Sequence, residues 1–133
     1  MRLPPGSILT DIRAARGRTA QRSGVDAEAV AEAALVAEGW EVLARRRRTA
    51  AGEIDLVAER AGLLALIEVK RRPTLAGAAA ALGPRQRARL LAAAEILLGE
   101  HPEWGRAGVR FDVLLVDGAG RVRRIADAFR QEG

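Results

Sequence analysis

The chain has 133 residues, enough for a single domain with its own core. It has no Cys and one His, His101, which excludes disulfide scaffolds, Cys-ligated zinc, thiol catalysis, His-based metal triads and Ser-His-Asp chemistry. The net charge of +5, from 22 basic against 17 acidic residues, points to a polyanionic partner, nucleic acid first.

Residues 1 to about 22 hold Pro4, Pro5, Gly6, Gly17 and scattered Arg, and read as a flexible basic tail ahead of one domain over 23–133. That leader has no continuous apolar segment, and no run in the chain approaches the roughly 18 apolar residues of a membrane span. A cytoplasmic protein is expected. The Ala- and Glu-rich stretch from about Ala20 or Val25 to Glu38 predicts a helix, stopped by Gly39. Glu28, Ala31 and Leu35 share one of its faces. Trp40–Arg46 predicts a first strand, with Trp40 in the core. Glu53–Glu59 and Leu63–Arg71 predict two more, joined at Ala61-Gly62. Residues 73–83 form an Ala-rich connection with room for a short helix. Pro84 then opens a helix to Leu98 with an apolar stripe of Leu90, Ala94, Leu97 and Leu98. Val109–Asp117 predicts a buried strand containing Phe111, and Val122–Ala126 a short edge strand. This order gives an α/β fold, a central mixed sheet flanked by helices.

The hairpin carries the chemistry. Strand alternation places Leu64, Leu66, Glu68 and Lys70 on one face, and Glu53, Asp55 and Val57 together, opposed to Ile54 and Leu56. With Ala61-Gly62 as a two-residue loop, Arg60 pairs with Leu63, Asp55 falls opposite Glu68, and Glu53 opposite Lys70. Facing carboxylates repel across a sheet, and a bridging divalent cation would resolve the repulsion. Oxygen ligands without His or Cys favour Mg²⁺ or Mn²⁺ over zinc. The alternative is plain solvation at strand ends, with Glu53 and Lys70 an ordinary cross-strand pair worth less than about 1 kcal/mol. Lys70 is also the only Lys among 22 basic residues.

The string GEIDLVAERAGLLALIEVKRR, at Gly52–Arg72, resembles the signature of the YraN-like family of predicted bacterial endonucleases, in which GEIDL is followed by an E-V-K-x-R strand and then R-F-D. Here the last piece is Arg110-Phe111-Asp112. The resemblance extends to Ala27-Glu28, Gly39-Trp40, Leu43-Ala44-Arg45 and the ending Ala128-Phe129-Arg130, and so covers roughly Gly24 to Arg130. It implies a restriction-endonuclease-like, PD-(D/E)XK three-layer core, with kinship to Holliday-junction resolvases. On that basis Asp55 and Glu68 would ligate Mg²⁺ or Mn²⁺, with the Val69 carbonyl as a third ligand and Glu28 as an additional acid. Lys70 would position the attacking water and stabilise transition-state charge, and Glu53 would support the ligands from behind. The chain departs from the family pattern at Arg45–Arg48, where an Asn is frequent, and at Arg85-Gln86-Arg87, where many members have a Lys.

Phosphate contacts are expected from Arg45, Arg46, Arg47, Arg48, Arg71, Arg72, Arg85, Gln86, Arg87 and Arg89, since guanidinium groups suit bidentate phosphate binding. The chain has two Trp, two Phe and no Tyr, which argues against a single-strand reader built on stacking. His101 reads as a surface residue, and Asp112 as a structural acid held by a nearby Arg. The expected function is a Mg-dependent endonuclease hydrolysing DNA phosphodiester bonds, with branched or structured DNA among its substrates. The rival is a non-catalytic nucleic-acid-binding or interaction module on the same fold. Oligomeric state stays open, a homodimer included.

Overall fold

The computed structural model describes residues 8–12, 26–71 and 83–129. Its strands are β1 (Ile8–Ile12), β2 (Glu41–Thr49), β3 (Gly52–Arg60), β4 (Leu63–Lys70), β5 (Gly108–Val116) and β6 (Val122–Phe129). Its helices are α1 (Ala27–Ala37) and α2 (Pro84–Glu100). The strands form one sheet in the order β1-β6-β5-β4-β3-β2. β4 and β5 run parallel, joined by the crossover that contains α2, and every other neighbouring pair is antiparallel. The mixed α/β sheet expected from the element order is present.

α1 begins at Asp26, whose carboxylate accepts hydrogen bonds from the N–H groups of Glu28 and Ala29. It ends as the sequence predicts, with Gly39 N–H bonded to the Val36 carbonyl and Trp40 N–H to that of Leu35. Its buried face of Ala27, Val30, Ala31, Ala34 and Leu35 packs on Leu56, Ala58, Ala65, Ile67, Leu114 and Val116. α2 buries Leu90, Ala93, Ala94 and Leu97 against Ile54, Val57, Leu64, Leu66 and Phe111. Leu98, expected in that stripe, is only half-buried. Odd and even residues of β4 divide between these two clusters, so the helices cover opposite faces and β4 is the central, doubly covered strand.

The β3–β4 hairpin turns through Ala61 and Gly62 with φ of 52° and 81°. Two left-handed residues make the tight turn whose twist suits a hairpin. Arg60 pairs with Leu63, and the expected register holds through Leu56 opposite Ile67. The paired ladder stops there, while β4 stays paired with β5 as far as Lys70 opposite Leu115. β3 and β4 therefore part at Asp55, and the cross-strand pairs expected for Asp55 with Glu68 and Glu53 with Lys70 are not among the ladder pairs. The expected alternation also breaks: Ile54 packs with Val57 on the α2 side, and Leu56 with Ala58 on the α1 side.

A second correction concerns the leader. Ile8–Ile12 form an edge strand antiparallel to β6, where a flexible tail was expected. The remainder of residues 1–22, and the connection at 73–82, lie outside the described residues.

Candidate active site

Asp55 stands where the two central strands separate. Its Oδ2 accepts a hydrogen bond of 2.8 Å from the Val69 N–H, so a carboxylate takes a backbone donor that a continuing ladder would have used. The half-buried carboxyl is pushed up to about 6, chiefly by burial. The Val69 N–H opposes that shift, and the charges of Glu68, Glu28 and Glu53 add to it. Among the described residues Asp55 makes no ion pair.

The other acids do have cationic partners. Glu68, with its side chain 13% exposed, lies 3.5 Å from Lys70 Nζ and 3.3 Å from the Arg89 guanidinium. Arg89 reaches it from α2, donating also to the Glu53 carbonyl at 2.7 Å and to Gln86 Oε1 at 3.1 Å. On the α1 side, Glu28 accepts from Arg46 Nε at 2.8 Å. The Glu53 carboxylate lies 3.6 Å from Arg48 Nε. Within this set the structure joins Asp55 to Val69 and Glu68 to Lys70, while Glu68, Glu28 and Glu53 act on Asp55 through their charges, Glu28 from the α1 side and Glu68 beside Arg89 of α2.

β2 carries a left-handed residue at the level of Asp55. Arg45 is opposite Leu56 and Arg47 opposite Ile54, which puts Arg46 across from Asp55. Arg46 has φ of 47°, uncommon for a residue with a long side chain. The reversal lets successive side chains reach one helix: Arg45 binds Glu32 through bonds of 2.6 and 2.5 Å, and Arg46 binds Glu28. Arg47 turns instead to Glu100 at the end of α2. Asp26, Glu28, Glu32, Arg45 and Arg46 line a depression of about 380 Å³, and a smaller one of about 80 Å³ runs from Glu28 to Val69 and Arg71.

The remaining candidates are more scattered. Arg85 is exposed at the start of α2, Gln86 orients Arg89, and Arg87 is half-buried. Arg72 lies outside the described residues. The sequence reading missed Glu32 and Glu100 as partners of the Arg run; the Glu28/Glu32 spacing of four on one helix was a signal for the first. It also missed the reason for Gly52. A Cβ there would meet Arg89 Nη1 at 2.8 Å and its Cδ at 2.9 Å, so Gly52 leaves the passage through which Arg89 enters.

The donors suit a hard divalent cation in kind, being carboxylates whose negative charges all bear on Asp55. Among the described residues, no three Asp, Glu or His side chains are drawn together closely enough to hold a metal ion in the present arrangement. Guanidinium and ammonium groups hold Glu28 and Glu68 instead.

Asp112, in the R-F-D segment, is 2% exposed. Arg110 binds its Oδ2 at 2.9 Å, and Arg124 Nε stands 3.5 Å from the same atom. Arg124 also pairs with Glu38. The Arg110 guanidinium carbon lies 4.9 Å from the centre of the buried Trp40 ring, and that of Arg60 5.0 Å. Trp40 and Phe111 are core residues, and Asp112 is held by arginine, as expected. His101 caps the end of α2 and stacks on Trp104, with ring centres 3.7 Å apart.

Fold and site together define a three-layer α/β protein with an acidic centre where its sheet divides. Comparison with known proteins then places it: residues 27–116 match the model described as "Uncharacterised protein family UPF0102", and the chain belongs to that family. A UPF0102 protein of Granulibacter bethesdensis is 62% identical over 120 residues, covering 90% of this chain and 76% of that protein. One from Acidiphilium cryptum is 49% identical over 120 residues, covering 90% and 93%. One from Azorhizobium caulinodans is 47% identical over 118 residues, covering 89% and 90%. Membership agrees with the YraN-like resemblance of the motifs. No helix among the described residues is long and apolar enough to cross a membrane.

Proposed function

We propose that this chain is a metal-dependent endonuclease of the restriction-endonuclease-like, PD-(D/E)XK class, hydrolysing DNA phosphodiester bonds. The observation that carries the reading is Asp55 in the gap between β3 and β4, with Glu68, Val69 and Lys70 following on the adjacent strand. Asp55, Glu68, the Val69 carbonyl and Glu28 would hold Mg²⁺ or Mn²⁺, which supplies Lewis-acid polarisation of a phosphoryl oxygen and of a water. Holding that cation requires Glu28 and Glu68 to give up Arg46, Arg89 and Lys70.

Lys70 is half-exposed beside Glu68 and can donate to a non-bridging phosphate oxygen where negative charge develops. A compact ammonium suits that place better than a planar guanidinium. Hydrolysis forms one bond from water oxygen to phosphorus and breaks one bond from phosphorus to a deoxyribose oxygen, with one proton of the water leaving to a base and the deoxyribose oxygen gaining one. Arg45, Arg46 and Arg48 have side chains 60%, 68% and 89% exposed, and their carboxylate partners could yield to phosphate.

The test is cleavage of matched linear, forked and four-way DNA by the full chain with Mg²⁺ or Mn²⁺, against Glu68→Ala and Lys70→Arg. Metal-dependent cleavage lost in both variants supports the reading. Binding without cleavage by the wild type would favour a non-catalytic DNA-binding module, and cleavage unchanged in both variants would place the activity elsewhere.

A further inference from the structure

We infer that the depression between α1 and β2 receives one unpaired nucleobase of a DNA substrate, stacked on the guanidinium of Arg45. This rests on the reading of the chain as a DNA endonuclease and goes beyond it, since it names a contact that selects DNA by an unpaired nucleotide and needs no metal ion.

The walls of the depression depend on an unusual backbone. In a regular strand Arg45 and Arg46 would point to opposite faces of the sheet. The left-handed φ of 47° at Arg46 brings both to α1, where Glu28 and Glu32 stand one turn apart. Glu32 holds the Arg45 guanidinium at Nε and at Nη2, which fixes its plane, yet the Arg45 side chain stays 60% exposed. A guanidinium held flat and largely exposed is a stacking surface for a planar ring. Ala29 and the buried Leu56 add apolar lining. The volume of about 380 Å³ falls in the lower part of the roughly 300–1,000 Å³ usual for small-ligand sites.

A phosphate suits the depression less well than a neutral base. It would have to displace Glu32 from a two-point contact, beside three carboxylates (Asp26, Glu28 and Glu32) set against two guanidiniums. A base leaves both ion pairs intact. Among the described residues Arg46 donates to Glu28 through Nε alone, so its terminal nitrogens can meet the acceptors on a base edge. Leu56 follows Asp55 directly, and the smaller depression shares Asp26, Glu28 and Arg46 and runs on to Val69 and Arg71, so the base site adjoins the acidic centre. A base stacked inside a duplex cannot enter, and one already unpaired enters at least cost. The site therefore favours bulges, gaps and branch points, and Arg45 serves it as a platform instead of a phosphate contact.

The test measures binding of the full chain in EDTA, by fluorescence anisotropy, to three duplexes: one fully paired, one with a single extra adenine nucleotide, and one with an abasic residue at that place. Wild type is expected to bind the adenine bulge about tenfold more tightly than the abasic one, the scale of one stacked base. Glu32→Ala frees the Arg45 plane and removes a negative charge. It should bring the two bulges to near equality while affinity for paired DNA holds or rises. Ala29→Leu fills the depression from an exposed helix position without changing charge. It should also reduce the preference, at unchanged affinity for paired DNA, and it keeps the inference testable should Glu32→Ala not fold. Equal wild-type affinity for the two bulges, or a preference that both variants keep, would overturn the inference. So would Glu32→Ala tightening all three duplexes alike, which would return Arg45 to phosphate contact. Metal-dependent cleavage of the same duplexes would in each of these cases leave the endonuclease reading standing, whereas no DNA binding by wild type would overturn both.

Discussion

Asp55 and Asp112 are two aspartates on strands of one sheet, and their surroundings are opposite. Asp112 is buried and lies against two arginines, so its charge is balanced inside the fold. Asp55 is half-buried, faces the charges of three other acids, and is held by a single backbone N–H. The first arrangement is that of an acid which stabilises structure. The second leaves negative charge uncompensated, which folding alone does not favour and which a bound cation would relieve. Position in a motif does not separate them, since both belong to the segments that identify the family.

The contrast can be broken most severely at Asp112. Asp112→Ala strands Arg110 and Arg124 in the core without its carboxylate, and should cost about 3–5 kcal/mol in urea unfolding. A cost within error of zero would show that Glu38 and solvent suffice for those arginines. At the other centre the largest effect should be on chemistry. Lys70→Arg should reduce metal-dependent DNA cleavage by at least about a hundredfold while leaving the unfolding midpoint and most DNA affinity near wild type. Comparable losses of stability and activity would make Lys70 a structural residue.

A smaller effect sharpens the contrast through pH. The Asp55 carboxyl titrates near 6 in the folded chain against an ordinary 3.8, so between about pH 4 and pH 6 the folded state keeps a proton that the unfolded state has lost. Stability from this group is therefore full below about pH 4 and lost as pH rises through about 6. Asp55→Asn keeps an acceptor for the Val69 N–H and removes the charge. It should stabilise the chain by about 1 kcal/mol at pH 8, after allowance for solvent screening, and by nothing measurable at pH 4. A gain of equal size at both pH values would assign the effect to packing.

Much of this was legible in the sequence, and the parts that were not share a cause. The Ala61-Gly62 turn set the hairpin register, and the Gly39 and Pro84 signals bounded the helices, because these depend on neighbours in the chain. Period-two alternation likewise sorted β4 correctly between its two helices. It failed at Asp55, where the strands part and a side chain replaces a ladder bond, an event decided by tertiary contacts. Ile8–Ile12 were missed because five residues beside a Pro- and Gly-rich stretch become a strand through pairing with β6, 110 positions and more along the chain. The carboxylates Glu53, Asp55 and Glu68 were visible in the motif. Their arginine partners were not, since Arg89 and Arg47 reach across 21 and 53 residues to Glu68 and Glu100.

The most direct measurement is thermal unfolding of the full chain at pH 8 with increasing Mn²⁺, in parallel for wild type and Asp55→Asn. A cation bound to the folded state alone should raise the wild-type midpoint by roughly 10 °C at a hundredfold excess over its dissociation constant. Asp55→Asn should start higher without metal and respond little to it. Equal shifts in the two proteins, or no shift in wild type at millimolar Mn²⁺, would contradict the assignment of Asp55 as the acid that a metal ion completes.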